Sequence, residues 1–232
     1  MEFEREFIRA KVVARYKNLI VDVRLPDGEL VPVFCPDENV MPNIYTRGAD
    51  IWISRAENEE RILRYEAEIV NRGEGMVMVN DRYNLKLLTE ALKDKKIAEF
   101  VRYSKVRKIN VFDKLPHVDL ELSNAEGEKC YVCIAHVYNK QDGRIVFPSK
   151  TSFFEMEMYE ELRRMRQAGY RTVLFVLAPR ADCAEAQFVW NLNPSIAARI
   201  FDEAKNGLEF VCYGCKIDKK SITIENKLNI IC

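Results

Sequence analysis

Between Val12 and Phe34 apolar and polar positions alternate on both sides of a turn. Leu19, Val21, Val23 and Leu25 precede Pro26-Asp27-Gly28, and Leu30, Pro32 and Phe34 follow it. A period of two marks extended chain, and Pro, Asp and Gly are the residues a tight turn asks for, so the pattern predicts a hairpin. Short extended runs recur at residues 50–54, 66–71 and 76–79, with turn signals at Arg47-Gly48 and Arg72-Gly73-Glu74-Gly75. Several short strands with no long amphipathic helix predict a small closed or nearly closed β-barrel over residues 1–80.

The period changes near Asn80. Leu85, Leu88 and Leu92 share one helical face, and a second short helix is expected over residues 95–100. Strands are expected at 106–112, 118–122 and 129–138, the last two joined by Asn124-Ala125-Glu126-Gly127. Met158, Leu162 and Met165 mark the buried face of a helix ended by Gly169, and 172–178 is an apolar run suited to a central strand. Asn193-Pro194 reads as an N-cap with Pro at the first helical position. The helix it opens, through Ile196, Ile200 and Phe201, should stop at Asn206-Gly207. Residues 208–217 then close the sheet. The predicted order from residue 82 is α-β-β-β-α-β-α-β, a mixed α/β domain over 81–232 behind the barrel of 1–80.

Composition narrows the class. The 232 residues are 48% hydrophobic and 31% charged, which excludes a disordered or fibrous chain. No run reaches the roughly 18 apolar residues of a membrane span, and the charged start MEFEREFIRAK is unlike a signal peptide, so the protein is expected in the cytoplasm and off the membrane. Seven cysteines, an odd count, point to reduced thiols. Charge sums to zero but is uneven: residues 1–80 carry 11 Lys+Arg against 15 Asp+Glu, whereas residues 82–108 hold 9 basic and 3 acidic side chains. That run makes either a basic stripe or an ordinary solvated helix face. No glycine pattern for a phosphate loop, a dinucleotide fingerprint or a nucleophile elbow occurs.

The strand order, with Asp119 on the second strand of the α/β domain, is the layout of PD-(D/E)XK nucleases. There, neighbouring strands supply carboxylates for Mg²⁺ and a Lys two residues on orients the water. Further segments extend the likeness: Ala14-Arg15-Tyr16-Lys17, Val21-Asp22-Val23, Cys35-Pro36 with Met41, Thr46-Arg47-Gly48-Ala49-Asp50-Ile51-Trp52, Val79-Asn80, Phe147-Pro148, Glu161-Leu162 and Asn193-Pro194. In this order and spacing the chain resembles the sugar fermentation stimulation protein A family. The resemblance implies an N-terminal OB-fold, a PD-(D/E)XK-like domain and an association with DNA. Under it, the basic residues expected to meet nucleic acid are Arg15, Lys17, Arg82, Lys86, Lys105, Arg107 and Lys108.

The departures bear on chemistry. Pro116-His117-Val118-Asp119 stands where the family has S-R-I-D, and Tyr131-Val132-Cys133-Ile134-Ala135-His136 where it has Y-V-E-V-K-S. The Glu ligand is thus Cys133 and the catalytic Lys is Ala135. A thiol is a poor Mg²⁺ ligand and Ala carries no charge, so a DNA-binding or regulatory protein without nuclease activity and without a cofactor is expected. The competing enzyme is a Mg²⁺- or Mn²⁺-dependent nuclease in which Glu121, Lys140 or Glu155 moves into the pocket. A protein-interaction scaffold is the third class. His117 with Asp119 and Cys133 is the one trio suggestive of a softer metal. Cys130-x-x-Cys133 and Cys212-x-x-Cys215 have zinc-like spacing, but on strands residues three apart face opposite ways, which favours packing. Cys35, Cys183 and Cys232 suggest nothing further. Tyr16, Tyr45, Trp52 and Tyr65 are aromatic candidates for base stacking, with Trp52 assigned to the core.

Overall fold

The structure is a computed structural model and describes the chain apart from residues 17–18, 37–43, 59, 110–116, 149–152, 191–193 and 232; residues 153–155 are described by their backbone. Two compact units result. The first comprises Met1–Tyr83 and takes in two later segments, Pro179–Asp182 and Cys215–Thr223; the remainder forms the second.

In the first unit the strands are β1 (Ile8–Tyr16), β2 (Ile20–Arg24), β3 (Leu30–Phe34), β4 (Asp50–Arg55), β5 (Tyr65–Asn71) and β6 (Met76–Met78), in spatial order β3-β2-β1-β4-β5-β6. β3 also pairs in parallel with β5, and this contact closes β1–β5 into a five-stranded barrel. The run from Val12 to Phe34 holds three strands rather than the two expected. β1 is long enough to pair with β4 through Ile8–Lys11 and with β2 through Lys11–Tyr16, with a bulge between Val12 and Ala14. The β2–β3 hairpin turns at Gly28, whose φ of +93° is open to glycine at no steric cost. Val21, Val23, Val33, Ile51, Ile53, Ala67 and Ile69 fill the interior, and Trp52 is buried.

The second unit begins with α1 (Asn84–Lys93) and a 3₁₀ turn at Ala98–Phe100, shorter than the helix expected there. It continues through β7 (Lys105–Lys108), β8 (Leu120–Ser123), β9 (Lys129–His136), β10 (Lys140–Gln141), β11 (Arg144–Phe147), α2 (Phe153–Gln167), β12 (Arg171–Ala178), β13 (Glu185–Phe188), α3 (Pro194–Lys205), β14 (Glu209–Ile217), β15 (Ile222–Lys227) and β16 (Asn229–Ile231). The main sheet has the order β15-β14-β12-β9-β8-β7, with β9, β12 and β14 parallel and β7 and β8 antiparallel. The run expected to close this sheet, β14, therefore lies inside it. A second sheet, β10-β11-β13-β16, is absent from the expected order because its strands span two to four residues, too few to show a period.

Strand parity positions the site. Tyr131 and Cys133 of β9 enter a core cluster with Tyr159 and Leu162 of α2 and Ile196 and Ile200 of α3. His136, of opposite parity, places Nδ1 2.9 Å from Asn84 Oδ1 at the start of α1. Gly169, at φ +89°, ends α2 where the pattern placed its stop: its N–H reaches Arg166 O at 2.8 Å, and Tyr170 N–H reaches Met165 O at 3.1 Å. Among the described residues no helix is long and apolar enough to cross a membrane.

Candidate functional site

Asp119 precedes β8 and lies alongside β9. Its N–H donates to Val132 O and its carbonyl accepts from Ile109 N–H, each at 3.0 Å. Its Oδ2 accepts from Ile134 N–H at 2.7 Å. The carboxylate thus occupies the place of a ladder carbonyl. Burial pushes its pKa up, the Ile134 N–H acts in the opposite direction, and no charged side chain contributes.

Cys133, one residue earlier on β9, is 1% exposed, and its thiol donates to His117 O at 3.0 Å. Burial raises the thiol pKa well above its usual value, and the carboxylates of Asp119 and Glu161 add to this, so the sulfur stays protonated. Ala135 packs against the same core cluster. Glu157 and Glu161, one turn apart on α2, both hold His117. Glu161 Oε2 accepts its backbone N–H at 2.9 Å, and Glu157 Oε2 lies 3.1 Å from Nε2. Glu161 is buried, and the sequence singled it out only as part of a Glu-Leu match; its i, i+4 relation to Glu157 was the available signal.

This donor set does not fit Mg²⁺. One carboxylate oxygen of Asp119 and one of Glu161 are already committed to backbone amides, the third group is a protonated thiol, and a hard cation asks for several free oxygens. Among the described residues no three His, Cys, Asp or Glu side chains are grouped to hold a metal ion, so the His117, Asp119 and Cys133 trio does not form one.

The other candidates fall elsewhere. Glu121 is bound by Arg107 Nη2 at 3.0 Å, Lys129 Nζ at 3.2 Å and Tyr131 OH at 3.1 Å; burial works upward on its pKa, but these partners outweigh it and hold it low. Lys140 opens β10 in the second sheet. The side chain of Glu155 and residues Lys17 and Cys232 lie outside what the structure describes. Cys130 and Cys133 both belong to β9, and Cys212 and Cys215 to β14; Tyr213-Gly214 is ladder rather than turn, paired with Leu177 and Ala178. None of the six described cysteines is in a disulfide, and Cys35 is buried while Cys183 is half-buried.

The basic candidates are divided between the units. In the first, the Arg15 guanidinium sits 4.8 Å from the Tyr45 ring centroid, and Arg82 is ion-paired with Glu66 and lies 3.7 Å from Glu68. In the second, Lys86 is half-buried on α1, whereas Lys105, Arg107 and Lys108 are exposed on β7, the edge strand of the main sheet. Three of the four β7 residues are basic.

Two family models account for most of the chain. Residues 13–79 match the SfsA N-terminal OB domain, and residues 82–221 match the sugar fermentation stimulation protein RE domain. The chain belongs to the sugar fermentation stimulation protein family. Relatives in this family include the sugar fermentation stimulation protein homologs of Rhodospirillum centenum, 29% identical with 99% of each chain covered, and of Maricaulis maris, 27% identical with 99% of this chain and 98% of that one covered. Among solved structures, Pyrococcus furiosus SfsA in complex with Ca²⁺ superposes with a TM-score of 0.84 over 100% of this chain and 98% of that one, at 13% identity. The family fold is therefore an OB barrel followed by a mixed α and β domain, with three α-helices among the described residues.

Proposed function

We propose that this member of the sugar fermentation stimulation family binds nucleic acid through the basic β7 edge of its RE domain and does not cut it. One observation carries the second half of the reading: where a second carboxylate and an ammonium would be needed beside Asp119, the chain has the buried Cys133 thiol, which donates to the His117 carbonyl, and Ala135, while one Asp119 oxygen accepts the Ile134 N–H. Water activation needs a metal with open positions or a nearby ammonium, and Ala135 supplies neither. The first half is supported by exposed Lys105, Arg107 and Lys108 on an edge strand, where phosphates can be met without rearranging the sheet. Cytoplasmic residence accords with cysteines held as thiols.

Glu161 favours a second reading, a nuclease with displaced ligands. It is a buried carboxylate near enough to Cys133 to raise the thiol pKa together with Asp119. The Pyrococcus relative was solved in complex with Ca²⁺. In this chain Glu161 holds the His117 amide through Oε2, which leaves Oε1 to meet a cation. Titration of single- and double-stranded DNA at two salt concentrations tests the proposal, because neutralised phosphates make affinity fall as salt rises. Salt-sensitive binding without Mg²⁺- or Mn²⁺-dependent cleavage agrees with it; absence of binding at low salt leaves the scaffold reading instead.

A further inference from the structure

The first unit contains a charged cluster that the β7 reading does not use. Glu66 of β5 is contacted by three guanidiniums. Arg82 and Arg61 pair with it directly, and Arg5 Nη1 lies 4.0 Å from Oε2. A carboxylate offers about four lone-pair sites, while each guanidinium carries five N–H donors, so donors outnumber acceptors here. Arg5 also donates to Arg55 O at 3.2 Å and pairs with Glu57, whose side chain is 85% exposed. Beside Arg5's partners opens a pocket of about 440 Å³ lined by Arg55, Glu57, Asn58, Arg64 and Tyr65.

Behind the arginines, Glu68 is fully buried. Its Oε1 accepts from Ser54 Oγ at 2.6 Å, and the side chains of Tyr83 and Asn80 hydrogen-bond toward the same carboxylate. Burial raises Glu68 to about 7, against smaller opposing effects of Ser54, Arg5, Tyr83 and Asn80. Near neutral pH the cluster therefore gains positive charge whenever Glu68 takes up a proton.

We propose that Arg5, Arg61 and Arg82, gathered on Glu66 and with Arg5 held on its open side by the exposed Glu57, form a subsite for a phosphate group. The phosphate displaces Glu57, an exposed partner that loses little by returning to water, and takes over the surplus N–H donors of Arg5. Glu66 stays in place as the anchor. The site uses none of the β7 residues, so it stands or falls separately from the reading above.

The test titrates the full chain with inorganic phosphate at constant ionic strength and with a labelled oligothymidylate. Arg5→Gln and Arg61→Gln should each weaken phosphate binding about 10-fold, whereas Lys105→Gln and Lys108→Gln should leave it unchanged. Glu57→Ala is exposed and safe for folding, and it should tighten phosphate binding by freeing Arg5. Competition between phosphate and the oligonucleotide identifies the backbone of nucleic acid as the source; phosphate binding without competition identifies free phosphate or a mononucleotide. A phosphodiester keeps its charge between pH 6 and 8, so oligonucleotide binding should weaken over that range in the natural chain and lose this component in Glu68→Gln. Failure of phosphate to bind, or equal binding by Arg5→Gln, Arg61→Gln and the natural chain, overturns the proposal.

Discussion

Glu68 in the first unit and Asp119 in the second are both carboxylates raised by burial, yet their surroundings differ in kind. Around Glu68 stand Arg5 and Arg82, with Arg61 one carboxylate away on Glu66. Around Asp119 the counterpart is a single backbone N–H, with the protonated Cys133 and the carboxylate of Glu161 close by. A cluster rich in guanidiniums can exchange one anion for another. A pocket whose polar atoms are tied to its own backbone has no such freedom. The first arrangement suits binding; the second suits a scaffold that holds its shape.

The largest expected effect comes from forcing charge back into the second arrangement. Cys133→Glu places a carboxylate in a fully buried position beside Asp119 and Glu161, and should cost about 3–5 kcal/mol in urea unfolding. A loss below about 1 kcal/mol would show that the pocket still accommodates charge. Recovery of the loss by added Mg²⁺ would show that it still accommodates a cation.

Glu68→Gln probes the first arrangement through pH. With its folded pKa near 7 and an unfolded value near 4.5, Glu68 binds its proton more tightly in the folded state. Its contribution is fully present below pH 4.5, falls as pH rises, and is lost above pH 7. The linked change is about 3 kcal/mol. The Gln variant should lack this slope and gain on the natural chain by that amount at pH 8; parallel stability curves between pH 4 and 8 would contradict the assignment. Ser54→Ala, which removes the 2.6 Å hydrogen bond to Glu68, should cost about 1–2 kcal/mol by the same measurement. The smallest stability effect belongs to Lys105→Gln with Lys108→Gln, within about 0.5 kcal/mol, while the salt slope of DNA binding should fall by about one per lysine.

Much of the fold was legible where an element was long enough to show a period, although β15, with Ile222 and Ile224 alternating, was not expected. The β2–β3 hairpin followed from alternation around Pro26-Asp27-Gly28, and α2 followed from Met158, Leu162 and Met165 with its stop at Gly169. The second sheet was not, because β10, β11, β13 and β16 are too short to carry a pattern. Glu66 and Glu68 mislead in a different way. In β5 they alternate with Ala67 and Ile69 as if facing solvent, but arginines from elsewhere in the same unit cover them and both are buried. In the candidate site, Asp119 and Cys133 could be named from their neighbours in sequence. The contribution of Glu161 depends on α2 reaching His117 across 44 positions, which no local spacing encodes.

The proposed function rests most heavily on the Asp119 pocket being unable to support metal-dependent cleavage. The most direct measurement is cleavage of labelled DNA by the unmodified protein with Mg²⁺ or Mn²⁺, run beside Asp119→Ala under conditions where DNA binding is saturated. Intact DNA is expected with both proteins. Cleavage that is present in the unmodified protein and absent in Asp119→Ala would contradict it and make Glu161 the first residue to test as a displaced ligand.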